Sequence, residues 1–303
     1  MGELEKHLQN YLDYMRGRNY AKRSIEDMKW HIRYLINWLK EKNIDNVTRE
    51  AASQFQLHLL DKRRADTSNK LSLATQKKYL TCIKIFFDYL LQSGKSLENP
   101  FAALSYPRIY QKMRWELLSA ERIAALLQKI KHTNILHFRN SAMLCLLYAA
   151  GIRINELIEM HLCDIDYEQF LIKIRCGKGG KERIIPVSGA VLGIIKIYVL
   201  YYRQALLKTG GQPYLFLSES GKKLYRANIN YTIKKIFGGS VSAHCLRVAC
   251  ATHMHKNGAD IRYIQEQLGH KTIDMTERYI KLEKSELKRI HSLTHPAERN
   301  ENL

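Results

Sequence analysis

The 303-residue chain has no apolar run long enough to cross a bilayer, which takes about 20 residues. Ala142 to Ile152 is too short, and Lys196 interrupts Val191 to Tyr202. The opening Met1-Gly2-Glu3-Leu4-Glu5 shows no basic stretch followed by an apolar one, so no secretory signal is expected. None of the six cysteines (Cys82, Cys145, Cys163, Cys176, Cys245, Cys250) forms a CxxC pair. Tetrahedral zinc sites draw on such closely spaced ligands, so no metal is expected and the cysteines read as reduced residues of a cytoplasmic protein. Gly177-Lys178-Gly179-Gly180-Lys181 lacks the spacing and trailing Ser/Thr of a P-loop, so no nucleotide is expected either. No repeat of 20 to 50 residues is visible.

Acid is also scarce. Asp and Glu number 29 against 49 Lys and Arg, a formal charge of +20. The excess is spread out: residues 1–105 hold 18 basic and 12 acidic side chains, the rest 31 and 17. Such a balance suits a polyanion partner, and two positive halves suit two modules gripping one duplex. Hydrophobic residues at 46% exclude a disordered chain.

Four helical patterns fill the first hundred residues, which predicts a small bundle. The first, Leu4 to Met15, repeats apolar residues at Leu8, Tyr11, Leu12 and Met15. The second runs from Ser24 to about Lys42, with Ser24 and Asp27 reading as a capping box. The third runs from Arg49 to about Arg63. The fourth runs from Leu73 to about Gln92, ended by Gly94 and Pro100. Residues 1–102 are thus expected to form a helical unit. Residues 103–117, containing Pro107 and no helical period, read as a linker, and 118–303 as a second domain.

In that domain a helix is expected from Ser119-Ala120-Glu121 through Ile130, and another over Ile135 to Ala150, stopped by Gly151 in a left-handed conformation. Arg153 then opens the next helix. From Phe170 to Val187 the period changes to two, with Phe170, Ile172 and Ile174 alternating with Leu171, Lys173 and Arg175. A glycine-rich tip follows, then Ile184, Ile185 and Val187. This predicts a β-hairpin. Helical pattern returns to about Leu293. The fold class is mainly α with a small β-hairpin or sheet.

A few residues can serve phosphodiester chemistry, where catalysis is chiefly positioning and electrostatic stabilisation. Arginine suits phosphate because its planar fork donates two hydrogen bonds and stays charged. Arg153 and Arg247 are the candidates. His244 and Arg247, spaced i, i+3, share one helix face. Gln265 to Gly269 reads as a glycine-capped helix end, which leaves His270 free to point at the same group. Imidazole donates to an oxygen or takes a nucleophile's proton. Lys178, or its neighbour Lys181, is a mobile cation at the hairpin tip. Tyr279 is a candidate nucleophile: a phenol of pKa near 10 needs cationic neighbours or a base to act. Each of these residues taken alone would pass as an ordinary surface side chain.

Together and in this order, Gly151 to Ile158, Cys163 to Asp166, Gly177 to Val187, His244-Cys245-Leu246-Arg247, Leu268-Gly269-His270 and Tyr279 resemble the tyrosine recombinases, or phage integrase family, in its Xer-like branch. The match spans roughly Leu118 to Ile290, with a looser one over the helical front half. The resemblance implies a SAM-like core-binding domain plus an α+β catalytic domain that clamp duplex DNA recombination sites. It implies strand cleavage through a 3′-phosphotyrosine and a Holliday junction. Tyr279 would be the nucleophile, Lys178 the general acid and Arg153 with Arg247 the phosphate clamp, with His244 and His270 managing phosphate and proton. It further implies a homo-tetramer, or a mixed tetramer with a second recombinase, in which about Lys284 to Leu293 docks on a neighbouring protomer. A phosphotyrosine conserves the bond energy, so neither ATP nor metal is called for. Val248-Ala249-Cys250 departs from the family's frequent His-Ser-Phe after the arginine. A non-catalytic DNA-binding accessory protein of this fold and a type IB topoisomerase-like enzyme are the alternative readings.

Overall fold

The computed structural model describes residues 2–62, 69–106, 118–130, 134–175, 182–208, 211–239 and 241–270. The chain divides into two compact units, Met1–Met113 and Arg114–Leu303. Lys178, Lys181, Tyr279, the expected docking segment 284–293 and residues 107–117 of the expected linker lie outside the described residues.

The first unit is a bundle of α1 (Gly2–Gly17), α2 (Lys22–Glu41), α3 (Arg49–Asp61) and α4 (Leu73–Gln92). Each turns the apolar stripe visible in the sequence inward. Ile32, Leu35, Leu39, Phe55, Tyr79 and Phe86 meet in one core, which Phe101 closes. Burial of each such side chain contributes about 2 kcal/mol. Thr48 and Ser72 cap α3 and α4, their hydroxyls accepting from the Ala51 and Thr75 amides.

The capping box expected at Ser24 does not form. Helix α2 begins two residues earlier, with Ala21 in the capping position and no side-chain cap. Asp27, the box's other half, faces across the bundle instead and pairs with Lys78 of α4 at 2.7 Å. With the helix starting at Lys22, Ser24 lies inside the first turn and cannot cap it.

In the second unit α5 (Ala120–Gln128) and α6 (Ile135–Ala150) are capped by Ser119 and Asn134. Helix α6 is buried on most of its surface, from Phe138 to Ala150, and packs against the later helices α8 (Gly189–Ile197) and α10 (Ala243–Lys256). Gly151 ends α6 at φ +59°, as the sequence implied. After α7 (Ile154–Glu159) come β1 (Ile165–Asp166), β2 (Leu171–Ile174) and β3 (Arg183–Pro186), an antiparallel sheet in that order. Ile172 lies opposite Ile165 on one side and Ile185 on the other.

The β2–β3 hairpin agrees with the expected one. Strand β1 was not foreseen, since two residues carry no readable alternation. Phe170 departs from its expected place in the inward set: Ile172 and Ile174 are buried, but Phe170 is half exposed at φ +58°. It closes the turn between β1 and β2 and lays its ring against Gly189, where an added Cβ would come within 2.9 Å of Phe170 Cε1.

Helix α8 runs into a π turn at Tyr198–Tyr202, and α9 (Arg226–Phe237), α10 and α11 (Ile261–Leu268) complete the described chain. Of the cysteines described, Cys82, Cys245 and Cys250 are buried, Cys145 is half-buried, and Cys163 is exposed beside Arg175; all five are free thiols. Among the described residues no helix is long and apolar enough to cross a membrane, and no group of three or more His, Cys, Asp or Glu is placed to hold a metal ion.

Candidate functional site

Two glycine-capped helix ends and two helix starts converge in the Arg114–Leu303 unit. Gly151 closes α6 and Gly269 closes α11, both in the left-handed region. Arg153 occupies the N-cap of α7, and His244 and Arg247 fall in the first turns of α10, behind the N-cap Ser242. Helix starts carry unpaired N–H groups and partial positive charge, a natural anion site.

Arg247 is buried, 3% exposed. Its Nη1 donates to the Gly151 carbonyl and its Nη2 to the Leu268 carbonyl, each at 2.6 Å. One guanidinium therefore ties the two glycine-terminated helix ends together. Arg153 donates from Nη2 to the Gly269 carbonyl at 2.9 Å and from Nη1 to Glu156 at 2.8 Å. His270 follows directly, its backbone N–H bonded to the Gln265 carbonyl at 3.0 Å. It is buried, while His244 is exposed.

Arg153, His244, Arg247 and His270 line one cleft of about 480 Å3, joined by Arg226 and Asn230 from α9. No carboxylate is among the described residues that line it. Glu156 sits behind Arg153, buried, and takes two further hydrogen bonds from Arg183 of β3 at 3.0 and 2.8 Å. Burial pushes the Glu156 carboxyl up, but the Arg183 and Arg153 hydrogen bonds and the Arg183 charge outweigh it, and its pKa is lowered.

The cleft repels protons. His270 is pushed down to about 3 by burial, then by Arg247, Arg153, His244 and Arg183. His244, although its side chain reaches solvent, is lowered by partial desolvation of the ring, then by Arg247 and Arg153. The arginines thus disfavour protonation of both imidazoles, and an anion seated between the arginines would favour it. The arrangement is built to hold an anion from several directions with fixed donors, the requirement for stabilising a charged transition state.

The structure thus brings together four of the six residues expected to act: Arg153, His244, Arg247 and His270. Glu156 and Arg183 lie within the sequence motifs but carry no expected role there. The available signal for Glu156 was its i, i+3 spacing from Arg153 at a helix start. Arg183 had no local signal, because its partners come from α7 and α11. Nor did Arg226 and Asn230, which one face of α9 turns into the cleft.

The chain belongs to the phage integrase family: residues 116–286 match that family and residues 7–94 match the phage integrase N-terminal SAM-like domain. It is similar to the tyrosine recombinase XerD of Halalkalibacterium halodurans, 30% identical and covering 98% of this chain and 99% of the relative. It is similar also to the tyrosine recombinase XerC 2 of Ralstonia nicotianae, 30% identical and covering 97% and 86%. Among solved structures, the Tn1549 transposon integrase in complex with transposon right-end DNA shares the fold, with a TM-score of 0.72 at 16% identity over 95% of this chain and 98% of that one. XerH bound to its difH substrate does so with a TM-score of 0.68 at 21% identity over 94% and 83%. The SAM-like helical unit and the mainly helical catalytic unit with its small sheet are those of this family.

Proposed function

We propose that the chain is a site-specific DNA recombinase that cuts and rejoins strands through a 3′-phosphotyrosine and a Holliday junction, using neither metal nor ATP. The supporting observation is that Arg153, Arg247, His244 and His270 face one volume of about 480 Å3, with no carboxylate among the described residues that line it. In this reading Arg153 and Arg247 hold the non-bridging oxygens of the scissile phosphate. Tyr279 Oη attacks phosphorus, forming the O–P bond as the bond to the 5′ oxygen breaks. An imidazole takes the phenol proton, and Lys178 gives one to the leaving 5′ oxygen. A 5′ hydroxyl from the partner strand then reverses the step. Residues 1–102 serve as the core-binding domain, 103–117 as connector and 118–303 as catalytic domain. The working assembly is four protomers on two duplex sites, alone or mixed with a second recombinase, each docking its 284–293 segment on a neighbour. The site of action is cytoplasmic, on bacterial or archaeal DNA.

The test is covalent trapping. The protein is incubated with end-labelled duplexes carrying candidate sites and a nick that lets the cleaved fragment escape, then run on a denaturing gel. The expected result is a protein–DNA adduct that Tyr279→Phe abolishes while leaving DNA binding intact. An adduct that persists in Tyr279→Phe places the nucleophile elsewhere. Absence of any adduct, with binding retained, favours the accessory-protein reading. Relaxation of plasmids lacking any site favours the topoisomerase reading.

A further inference from the structure

A cavity larger than the cleft lies on another flank of α9, with a volume of about 840 Å3. Arg226 and Asn230 face the cleft; Ala227 and Tyr231, each one residue further along the same helix, and Lys235 face this cavity instead. Its wall holds an arginine in an unusual setting. Arg139 of α6 is 8% exposed. Its Nη1 donates to the Leu217 carbonyl at 2.8 Å, and its Nε and Nη2 donate to Asn140 Oδ1 at 3.2 and 2.8 Å. Every acceptor is neutral, and among the described residues no carboxylate forms an ion pair with it. A guanidinium has five N–H groups, so this network leaves donors over. A buried charge is costly unless paired, and burial lowers the Arg139 pKa against the smaller opposing pull of Tyr198 and Glu219, neither of which hydrogen-bonds to it.

The rest of the cavity is equally one-sided. Lys129 and Lys235 stand exposed at its rim, and Glu219 is the acid among its lining residues. Below them Leu126, Ile130, Leu136 and Ile236 are half-buried members of the unit's core, an open edge of apolar packing. The volume falls in the range of small-molecule sites, about 300 to 1,000 Å3, where an apolar lining surrounds a few fixed polar groups. A planar fork matches a carboxylate better than any other anion of similar size except phosphate.

We propose that this cavity binds a small amphipathic carboxylate, its head on Arg139 within the field of Lys129 and Lys235 and its hydrocarbon or aromatic body on the Ile130–Leu136–Ile236 floor. The inference stands apart from the recombination reading, since it concerns binding in the absence of DNA.

The experiment is calorimetric titration of the full chain with 4-phenylbutyrate, with 4-phenylbutylamine and acetate as matched probes lacking the anionic head or the apolar body. The expected result is one molecule of 4-phenylbutyrate bound per chain, with each control weaker by about tenfold or more. Lys129→Glu combined with Lys235→Glu reverses the rim charge on exposed positions and weakens 4-phenylbutyrate by about tenfold. Arg139→Met removes binding; where that variant fails to fold, the lysine pair alone carries the test. No heat up to millimolar 4-phenylbutyrate overturns the proposal. So does equal binding of the amine or of acetate, the latter marking an adventitious anion only. Unchanged affinity in the lysine double variant also overturns it, because the carboxylate would then sit elsewhere, for instance on the cleft arginines.

Discussion

Glu156 receives Arg183 through both carboxylate oxygens, at 3.0 and 2.8 Å, while the same two oxygens take the Arg153 guanidinium and its backbone N–H at 2.8 Å each. A single buried carboxylate thus fixes an arginine of the cleft to one from the sheet. The pairing holds Arg153 in place in the lining of the cleft.

Glu156→Gln breaks this arrangement while keeping the side chain's shape. Removing one partner of a buried ion pair leaves the other charge uncompensated, and we expect a loss of roughly 3 kcal/mol in urea unfolding at neutral pH. The Glu156 pKa is lowered in the folded chain, so its stabilisation is present above the ordinary carboxylate range and is lost as pH falls through the folded value. Wild type and variant should therefore converge in stability under acid. A constant gap down to strongly acidic pH would mean that the loss comes from packing.

A divalent anion should stabilise the protein more in mild acid than in base. Burial and the surrounding arginines hold His270 near 3, against about 6.5 in an unfolded chain. The unfolded state therefore takes up a proton below about 6.5 that the folded state refuses, and stability falls from there toward about 3. Sulfate seated among Arg153, Arg247 and His270 would offset the repulsion and let the imidazole protonate. We expect its effect on Tm to be larger at pH 5.5 than at pH 8, relative to chloride at matched ionic strength. Equal increments at both values would place sulfate outside the cleft.

Gly151→Ala tests the joint between α6 and Arg247. The residue sits at φ +59°, and an added Cβ would lie 2.6 Å from Leu268 Cδ2 and 3.0 Å from Cys250 Sγ. Left-handed strain and overpacking together should cost about 3 kcal/mol. Displacing the Gly151 carbonyl also disturbs its bond to Arg247, so anion binding should weaken along with stability. A denaturation midpoint within error of wild type would show that Leu268 and Cys250 give way freely.

Arg153→Lys keeps the charge and removes the fork. One ammonium cannot reproduce the planar guanidinium's contacts with Glu156 and the Gly269 carbonyl while offering two parallel donors to a phosphate. We expect adduct formation on the nicked duplex to fall by roughly 100-fold at a temperature where the variant is fully folded, the scale for losing one fixed donor to a developing negative charge. Cleavage within about threefold of wild type would rule out the forked clamp.

Much of this site was legible because its signals are local. Gly151 and Gly269 announce helix ends, and the i, i+3 spacing of His244 and Arg247 needs only helical geometry. The stripes of α1 to α4 arise from the same period. What escaped was made across distance. The capping box at Ser24 did not form because α2 starts two residues earlier, while Asp27 pairs with Lys78, far away in the chain. Phe170 fitted the alternation, yet it turned out of the strand against Gly189.

The sequence by itself determined which segments become helix or hairpin, where the helices stop, and which side chains carry the charge for an anion, because backbone preference and side-chain period act between neighbours. Tertiary structure decided that Glu156 would anchor Arg153 and Arg183, that Arg247 would bridge the carbonyls of Gly151 and Leu268, and that α9 would divide its faces between two cavities. Those outcomes depend on which buried donors and acceptors must satisfy one another once the helices have packed, and nothing between chain neighbours encodes that.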